Sequence, residues 1–415
     1  MASFSFGSGN AAKLARIPLY ALGRVATAVV PRGRLWVFGC GAGVADGALE
    51  VWNAARERGI DAVWLATTER EARDAAALGI PTLPKMSWRG FWATARARVV
   101  VVTHGFGDVN PYAVSGAFVA QLWHGIPLKR IGLDAPALVR SAFLPGSRAV
   151  RGLLAWAYRR SARRIGLIPA ASHLVRGRLE SAFGIPDASV VVTGEPRVDV
   201  LARGSADDRG ASARALVAEA QPGIRPDARL VLYAPTWRDG EADPAVPTPD
   251  EWRAIDALLA RHGAQLVVRS HRLGEGAYAP PEETPRVVLL GADLVPDVTP
   301  ALPAFDALIT DYSSLVYDGS LVPLPTLFLA PDVRSYAESR GFYGTYDEVT
   351  GGEQSATWGE LLPRLERLLG QDEERERLAE HSRAISARVH AFRDGGSTRR
   401  VLDEILARTR KAPTA

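Results

Sequence analysis

The chain has 415 residues and carries 50 Lys and Arg residues against 46 Asp and Glu residues; this length suits two domains, and a net charge of +4 is too small to indicate nucleic acid as a partner. Hydrophobic residues make up 47% of the chain. The sequence contains no uninterrupted apolar run of about 18 residues, so no transmembrane helix is predicted. The single cysteine, Cys40, excludes a disulfide framework and a cysteine-built zinc site, and suits a reducing compartment.

Short β-branched runs alternate with longer stretches rich in Ala, Leu, Arg and Glu. This alternation is typical of βαβ units and a parallel sheet, and it predicts an α/β fold. Strands are predicted at residues 35–38, 62–66, 99–103, 118–123, 165–168, 190–193, 230–233, 265–269, 287–290, 307–310 and 326–329. Helices are predicted between them, including residues 47–58, 69–78, 249–261 and 358–369.

A turn-like break at residues 184–187 divides the alternating pattern. We therefore predict two doubly wound domains, residues 33–184 and residues 185–385. Residues 386–415 are predicted as a C-terminal helix and tail, which Asp394-Gly395-Gly396 separates from the helix before it.

Two segments, residues 11–30 and residues 147–164, combine arginines with large apolar side chains and no acidic residue. Such a pattern is typical of amphipathic helices that lie on an anionic membrane surface. A packed helix with a solvated arginine face gives the same pattern. Residues 1–32 are accordingly predicted as an N-terminal amphipathic helix in contact with a membrane.

In an open parallel sheet, ligands bind beyond the carboxyl ends of the strands. In the second half of the chain these positions are polar, and the candidates are Arg197, Pro235, Thr236, Arg238, Arg269, Ser270, His271, Ser313 and Ser314. Arginine supplies fixed charge and forked donors for phosphate oxygens, while serines at a helix N-terminus add hydroxyl and N–H donors. Together these residues predict a pyrophosphate pocket, and Asp318 could accept hydrogen bonds from polyol hydroxyls. Taken alone, Asp311 or Ser314 is more often a helix cap than a ligand.

A histidine follows each of three predicted strands. His124 lies in the segment 123–129, where a glycine and a proline shape a tight turn after an apolar strand. Histidine is a suitable general base near neutral pH, so His124 is the first candidate, with a structural role beside the preceding Trp as the alternative. His271 is the second candidate because Arg269 lies beside it, and His104 ends a strand of the first domain.

The segment Gly39-Cys40-Gly41-Ala42-Gly43 separates the first strand from the first helix. Val44 at its sixth position departs from Gly-x-Gly-x-x-Gly and argues against a dinucleotide site. A tight connection and an anion-binding turn both remain open. The chain contains no Asp-x-Asp pair, so we expect no bound metal, and expect arginines and N–H groups to neutralise the charge of a nucleotide.

The same residues occur in one order in a known family. The segments are Trp123–Lys129, Thr193–Asp199, Tyr233–Arg238, Arg269–His271, Ile309–Ser314 and Arg340–Tyr343. With them the chain resembles, over roughly residues 33–395, the CDP-glycerol glycerophosphotransferases, which build teichoic acids and related polyol-phosphate polymers. Two positions depart from the family pattern: Ser270 stands where proline is common, and Glu195 where an aromatic or hydrophobic residue is common.

The resemblance implies a GT-B fold, in which two Rossmann-like domains face a central cleft and the C-terminal one binds the CDP donor. It also implies a transferase that uses CDP-glycerol or another CDP-polyol and a polyprenyl-linked acceptor, peripheral at the cytoplasmic face of the cell membrane, with no cofactor. The implied catalytic residues are His124 and His271. The implied donor contacts are Gly125, Ile126, Pro127, Leu128, Arg197, Pro235, Thr236, Arg269, Ser270, Ser313, Ser314 and Asp318.

We expect His124 to remove a proton from an acceptor hydroxyl, whose oxygen then attacks the β-phosphorus of the donor. The alternative is a GT-B glycosyltransferase that moves a sugar from a nucleotide sugar. A non-catalytic scaffold bound to a membrane is a third interpretation, against which the presence of His124, Arg269 and His271 together argues.

Overall fold

The computed structural model describes residues 17–135, 147–236, 238, 243–269 and 278–410. The strands are β1 Trp36–Phe38, β2 Ala62–Ala66, β3 Thr82–Pro84, β4 Val99–Val102, β5 Phe118–Gln121, β6 Ile165–Ala170, β7 Val190–Val192, β8 Arg229–Ala234, β9 Ala264–Val268, β10 Val287–Leu289, β11 Ala307–Thr310, β12 Thr326–Leu329 and β13 Gln354–Ser355. The helices are α1 Ile17–Val29, α2 Asp46–Glu57, α3 Glu69–Ala77, α4 Trp88–Arg96, α5 Arg148–Ala162, α6 His173–Phe183, α7 Ala206–Ala220, α8 Pro249–Arg261, α9 Leu315–Gly319, α10 Val333–Ser339, α11 Asp347–Thr350, α12 Trp358–Gly370, α13 Asp372–Val389 and α14 Ser397–Arg410.

The first of two compact units is built on a parallel sheet with the strand order β3-β2-β1-β4-β5-β6-β7. Its core contains an aromatic cluster in which Phe38 and Trp64 each meet Trp52 edge-on, at centroid distances of 5.1 and 6.0 Å. The C-terminal helix α14 packs into the same core through Val401 and Ile405. A residue from near the middle of the chain fixes the start of α14, because the Asp199 carboxylate accepts hydrogen bonds from its first N–H groups.

The second unit is built on a parallel sheet with the strand order β10-β9-β8-β11-β12-β13. In its core the Tyr233 and Trp358 rings meet edge-on at 5.1 Å. The Tyr233 hydroxyl and the Trp358 indole N–H both donate to the Ala245 carbonyl, at 3.0 and 2.9 Å, so both buried polar groups are satisfied. Thr248 and Glu251 form a capping box at the start of α8, which explains why the sequence predicts this helix at its observed bounds.

Both units are Rossmann-like α/β domains, as the sequence predicts. The structure divides the chain at other positions, however: Val200–His390, together with Pro127–Lys129, forms the second unit, and the residues from Ala391 onward return to the first. The predicted boundary after Gly184 differs because this glycine, with a φ of +60°, only ends α6. The chain then continues into β7, which pairs with β6. In the described part of the chain, no helix is long and apolar enough to span a membrane.

Candidate functional site

Two histidines meet at the carboxyl edge of the first sheet. β4 and β5 are neighbours in that sheet; His104 follows the first and His124 the second. Their rings lie parallel, with centroids 4.2 Å apart and 1° between the planes. The Gln121 amide donates to the Thr103 carbonyl at 2.9 Å and so fixes the two strand ends to each other. His124 therefore lies beyond a strand end, where the sequence places it.

The backbone around His124 adopts conformations that few residues tolerate. Trp123 has a φ of +63° and Gly125 a φ of +130°, and a bulky aromatic residue rarely adopts the left-handed region. The Trp123 ring is held edge-on against Phe183 at 5.2 Å and lies 4.1 Å from the His124 ring. Such strain persists only where the surroundings hold it, and it is concentrated at functional sites.

The structure keeps both imidazoles neutral at physiological pH. Burial, followed by the proximity of His104, lowers the pKa of His124 well below its ordinary value, and burial lowers the pKa of His104 to about 4. The His124 ring hydrogen-bonds to the Thr103 backbone, whereas its Nδ1 atom is buried without a hydrogen-bond partner among the described residues. A neutral imidazole with a lone pair at Nδ1 is the form that accepts a proton in general-base catalysis.

Arg197 lies in the first unit, near these histidines. In addition to burial and His104, its charge lowers the pKa of His124. Its Nε atom is 3.6 Å from the carboxylate of Asp46, which begins α2 with a φ of +62°. The prediction that Arg197 follows a strand of the second sheet is wrong, because β7 belongs to the first sheet.

The glycine-rich segment after β1 makes a tight connection to α2. A Cβ atom on Gly39 would lie 2.1 Å from the Asp108 carbonyl oxygen, and one on Gly41 would lie 2.6 Å from the His104 ring. Both glycines are therefore explained by close packing, and Gly41 gives the His104 ring a surface to lie on.

The loop after His124 continues into the second unit at Pro127. There the Leu128 carbonyl accepts a hydrogen bond from the Tyr343 N–H at 3.0 Å. This bond joins two of the segments that carry the family resemblance. Ile126 and Leu128 are buried, so these two predicted donor contacts place their side chains in the protein interior.

Lys129 is also fixed within the second unit, because its backbone forms an antiparallel bridge with Phe342. Its side chain is half-buried. Burial lowers the pKa of Lys129 to about 8, the charge of Asp311 opposes this shift, and Arg340 adds to it. The ammonium group therefore lies near Asp311 and Arg340.

Three adjacent strand ends meet in the second sheet, those of β9, β8 and β11. The Thr236 N–H donates to the Asp311 carboxylate at 2.9 Å, and the Arg269 N–H donates to the Tyr233 carbonyl at 2.8 Å. The structure thus brings together Thr236, with Pro235 before it, and Arg269, as the sequence predicts.

Two side chains at this edge have polar groups suited to a ligand. The Thr236 hydroxyl is buried and makes no hydrogen bond to any described residue. The Arg269 guanidinium is half-buried and donates to the Leu290 and Pro296 carbonyls, each at 3.3 Å. A phosphate oxygen is a stronger acceptor for arginine than a carbonyl oxygen.

Arg238 forms a buried ion-pair network. Two of its nitrogens donate to Asp332 at 2.8 Å each and a third donates to Asp311 at 2.9 Å, while the guanidinium lies 4.9 and 5.0 Å from the ring centroids of Tyr312 and Tyr336. Although burial opposes the charge, the two carboxylates raise the pKa of Arg238 above its ordinary value. The predicted contact of Arg238 with phosphate is therefore replaced by a structural role.

Ser313 and Ser314 precede α9, and Ser314 is its N-cap, as predicted. Because this helix has five residues, few peptide dipoles add at its N-terminus. Asp318 lies within it and is 1% exposed, so its contact with a polyol stays a prediction. Ser270 and His271 lie outside the described residues, and their roles also stay predictions.

His104 and Lys129 belong to these clusters but are not among the predicted site residues. His104 follows a predicted strand, but the strand order that brings it to His124 depends on non-local pairing. Lys129 is one of only four lysines in an arginine-rich chain, and this rarity could have marked it as a candidate in the sequence. Among the residues that the structure describes, no three His, Cys, Asp or Glu side chains form a group that fits a metal ion.

Comparisons with known proteins agree with the resemblance. The chain is 25% identical over 331 residues to a teichoic acid glycerol-phosphate transferase of Staphylococcus aureus, covering 79% of this chain and 80% of that protein. It is 25% identical over 314 residues to a teichoic acid poly(glycerol phosphate) polymerase of Bacillus subtilis, covering 71% of this chain but only 38% of the polymerase.

The fold matches that of the wall teichoic acid polymerase TagF, with a TM-score of 0.76, 20% identity and 96% of both chains covered. A TagF variant soaked with CDPG matches with a TM-score of 0.74, 19% identity and 97% of both chains covered. The model of the family described as CDP-glycerol:poly(glycerophosphate) glycerophosphotransferase matches residues 41–407. The chain belongs to this family of transferases.

Proposed function

We propose that this chain transfers glycerol phosphate from CDP-glycerol to a hydroxyl group of a polyprenyl-linked acceptor and releases CMP, in the synthesis of a teichoic-acid-like polymer. The observation that carries the proposal is the neutral, half-buried His124, whose buried Nδ1 atom lacks a partner among the described residues. The relatives are a transferase and a polymerase of glycerol phosphate, and a TagF variant was soaked with CDPG.

The chemistry is a phosphoryl transfer. His124 accepts the proton of the acceptor hydroxyl, and the resulting oxygen nucleophile forms a bond to the β-phosphorus of CDP-glycerol. The bond from this phosphorus to the bridging oxygen breaks, and its electron pair leaves with CMP. Catalysis of this kind depends on positioning and charge stabilisation more than on covalent chemistry.

The second unit supplies the donor contacts in this proposal. The Arg269 guanidinium neutralises charge on the diphosphate, and the Thr236 hydroxyl donates to one of its oxygens. The Ser313 and Ser314 hydroxyls lie at the end of the adjacent strand β11 and add further donors. The residues outside the described ranges, Ser270 and His271, follow Arg269 directly in the chain.

A donor comparison tests the proposed function. The purified chain and a polyprenyl-linked acceptor analogue are incubated with one donor at a time: CDP-glycerol, CDP-ribitol or a UDP-sugar. The products are analysed by mass spectrometry. We expect CDP-glycerol to add about 154 Da per unit, which is the mass of glycerol phosphate less one water. Turnover of a UDP-sugar without turnover of a CDP-polyol would replace the proposal by the glycosyltransferase alternative.

We also propose that the first unit binds the cytoplasmic face of the cell membrane through α1, α4 and α5. None of these helices contains an acidic residue. Each exposes large apolar side chains: Leu19, Leu22, Val25, Trp88, Trp92, Leu153 and Trp156. Apolar side chains flanked by arginines fit the boundary between acyl chains and anionic headgroups.

α1 lies beside α4 and near the residues that follow α5. α1 packs against α4, and Gly23 of α1 lies so close to Tyr112 that a Cβ atom would be 2.2 Å from its carbonyl oxygen. Arg164, the second residue after α5, is close enough to Arg24 of α1 that this charge adds to burial in lowering the pKa of Arg164. We call α1, α4 and α5 together the basic face.

Replacing Trp88 and Trp156 with serine should weaken binding to phosphatidylglycerol vesicles by roughly tenfold or more, because the basic face loses apolar area that enters the lipid. Sedimentation with vesicles measures the bound fraction. Leu294→Ser is the matched control, since Leu294 is an exposed apolar residue of the second unit. Equal binding of the double variant and the wild type would contradict the membrane proposal, as would equal binding to phosphatidylcholine vesicles.

A further inference from the structure

The His104 ring is held on three sides. One face stacks on the His124 ring at 4.2 Å, and Gly41 is so close that a Cβ atom there would lie 2.6 Å from Cγ of the imidazole. At the ring edge, Nδ1 is 2.8 Å from the Thr103 hydroxyl. These contacts hold the His104 ring in one orientation.

The backbone that carries His104 is fixed as well. The Asp108 carboxylate accepts hydrogen bonds from the N–H groups of Thr103 and His104, at 2.9 and 2.7 Å. The Thr103 hydroxyl is also 3.2 Å from the Cys40 sulfur. His104 therefore rests on a buried network that anchors it to the ends of β1 and β4, whereas His124 stands on a strained loop.

We propose that His104 is a positioning residue, which holds the plane of the His124 imidazole through ring stacking during proton transfer. The inference rests on the proposed role of His124 as general base. It requires a neutral His104, because a charged ring would repel the protonated His124 that forms in the reaction. Burial supplies this condition.

The charged and titratable groups around the two rings set the pH dependence of the pair. Arg197 disfavours protonation of both rings, and Asp46 lies 3.6 Å from Arg197. Asp108 faces the backbone of His104, and Cys40 faces the Thr103 hydroxyl. In the wild type, His124 should stay neutral well below pH 6.5, so kcat should fall only at lower pH.

Three substitutions separate stacking from hydrogen bonding. His104→Ala removes both contacts, His104→Asn keeps a polar group near the Thr103 hydroxyl without an aromatic ring, and His104→Phe keeps a ring without a polar edge. We expect His104→Ala and His104→Asn to lower kcat by roughly 2- to 13-fold, the effect of losing one aromatic stacking contact. The KM for CDP-glycerol should stay within about twofold, and His104→Phe should retain more activity than the other two.

The pH profile is the measurement that a purely structural role would not change. Without the His104 ring, water reaches His124 and its pKa rises toward the ordinary value of about 6.5, so the acid limb of kcat should move to higher pH in His104→Ala. An acid limb at the same pH as in the wild type would overturn the proposal. So would an unchanged kcat in His104→Asn.

A titration of His124 by NMR on ¹⁵N-histidine-labelled protein makes the inference independent of the donor. The His124 resonances should titrate at higher pH in His104→Ala than in the wild type, whichever substrate the enzyme uses. If the wild type does not turn over CDP-glycerol while the titration shifts, the proposed function fails and the coupling of the two rings stands. If CDP-glycerol is turned over while the titration does not shift, the inference fails alone.

Discussion

Replacing His124 with alanine will lower kcat with CDP-glycerol by about 10²–10⁴-fold, the range that loss of a general base usually produces. The physical reason is that His124, beyond the end of β5, offers a neutral imidazole whose buried Nδ1 atom has no hydrogen-bond partner among the described residues. In the proposed function Thr236 and Arg269 of the second unit hold the donor, so the dissociation constant for CDP-glycerol should change by less than about tenfold. Single-turnover kinetics and equilibrium binding of the donor measure the two effects separately.

His173→Ala is the matched control for this prediction. His173 is an exposed histidine at the start of α6 in the same unit, and its loss should leave kcat within about twofold. Circular dichroism of both variants checks that they fold. A His124→Ala enzyme that folds and keeps near-wild-type kcat would remove His124 from the mechanism.

Replacing Arg238 with methionine will lower the free energy of unfolding by about 3–5 kcal/mol, because it leaves two carboxylates without their buried partner. Asp311 is 1% exposed and has little access to water in compensation. The aromatic rings of Tyr312 and Tyr336 also lose the cation that lies about 5 Å from each of them. Chemical denaturation, followed by tryptophan fluorescence, measures this loss.

Arg253→Met is the control for the loss of an arginine as such. The ion pair of Arg253 with Asp250 is exposed on α8, where such pairs contribute little, so this variant should stay within about 0.5 kcal/mol of the wild type. If Arg238→Met were as stable as the wild type but bound CDP-glycerol more weakly, Arg238 would be a phosphate ligand and not a structural residue.

Much of the fold was predictable because local signals are strong in this sequence. The strands at Ala62–Ala66, Ala307–Thr310 and Thr326–Leu329 were predicted at their observed bounds, since each is a short apolar run with clear ends. The strands β3 and β13 were missed because they have only three and two residues and contain little of the β-branched pattern that marks the others. Short edge strands depend on pairing with a neighbour more than on their own composition.

The boundary between the units could not be read in the same way. Gly184 and Pro186 have the composition of a linker, yet here they form the turn between α6 and β7. Only the pairing of β7 with β6, and the return of α14 to the first core, show where the first unit ends. Both are contacts between distant parts of the chain, which composition does not record.

The candidate site was predictable where one strand end carried the signal by itself. His124 and Thr236 follow apolar strands directly, and their positions agree with the prediction. Arg238 also follows a strand, but its partner Asp332 is 94 residues further along the chain, so its ion pair was not visible in the sequence. His104 was recognised as a strand end, whereas its stacking on His124 required the order of the strands.

The position of the cleaved bond distinguishes transfer of glycerol phosphate from transfer of glycerol alone. CDP-glycerol labelled with ³²P at the β-phosphorus is incubated with the enzyme and a polyprenyl-linked acceptor analogue, and the lipid and nucleotide products are separated. Attack at the β-phosphorus predicts that the label moves to the lipid and that the nucleotide released is unlabelled CMP. Label recovered in CDP, with glycerol alone transferred to the lipid, would contradict the mechanism proposed for this enzyme.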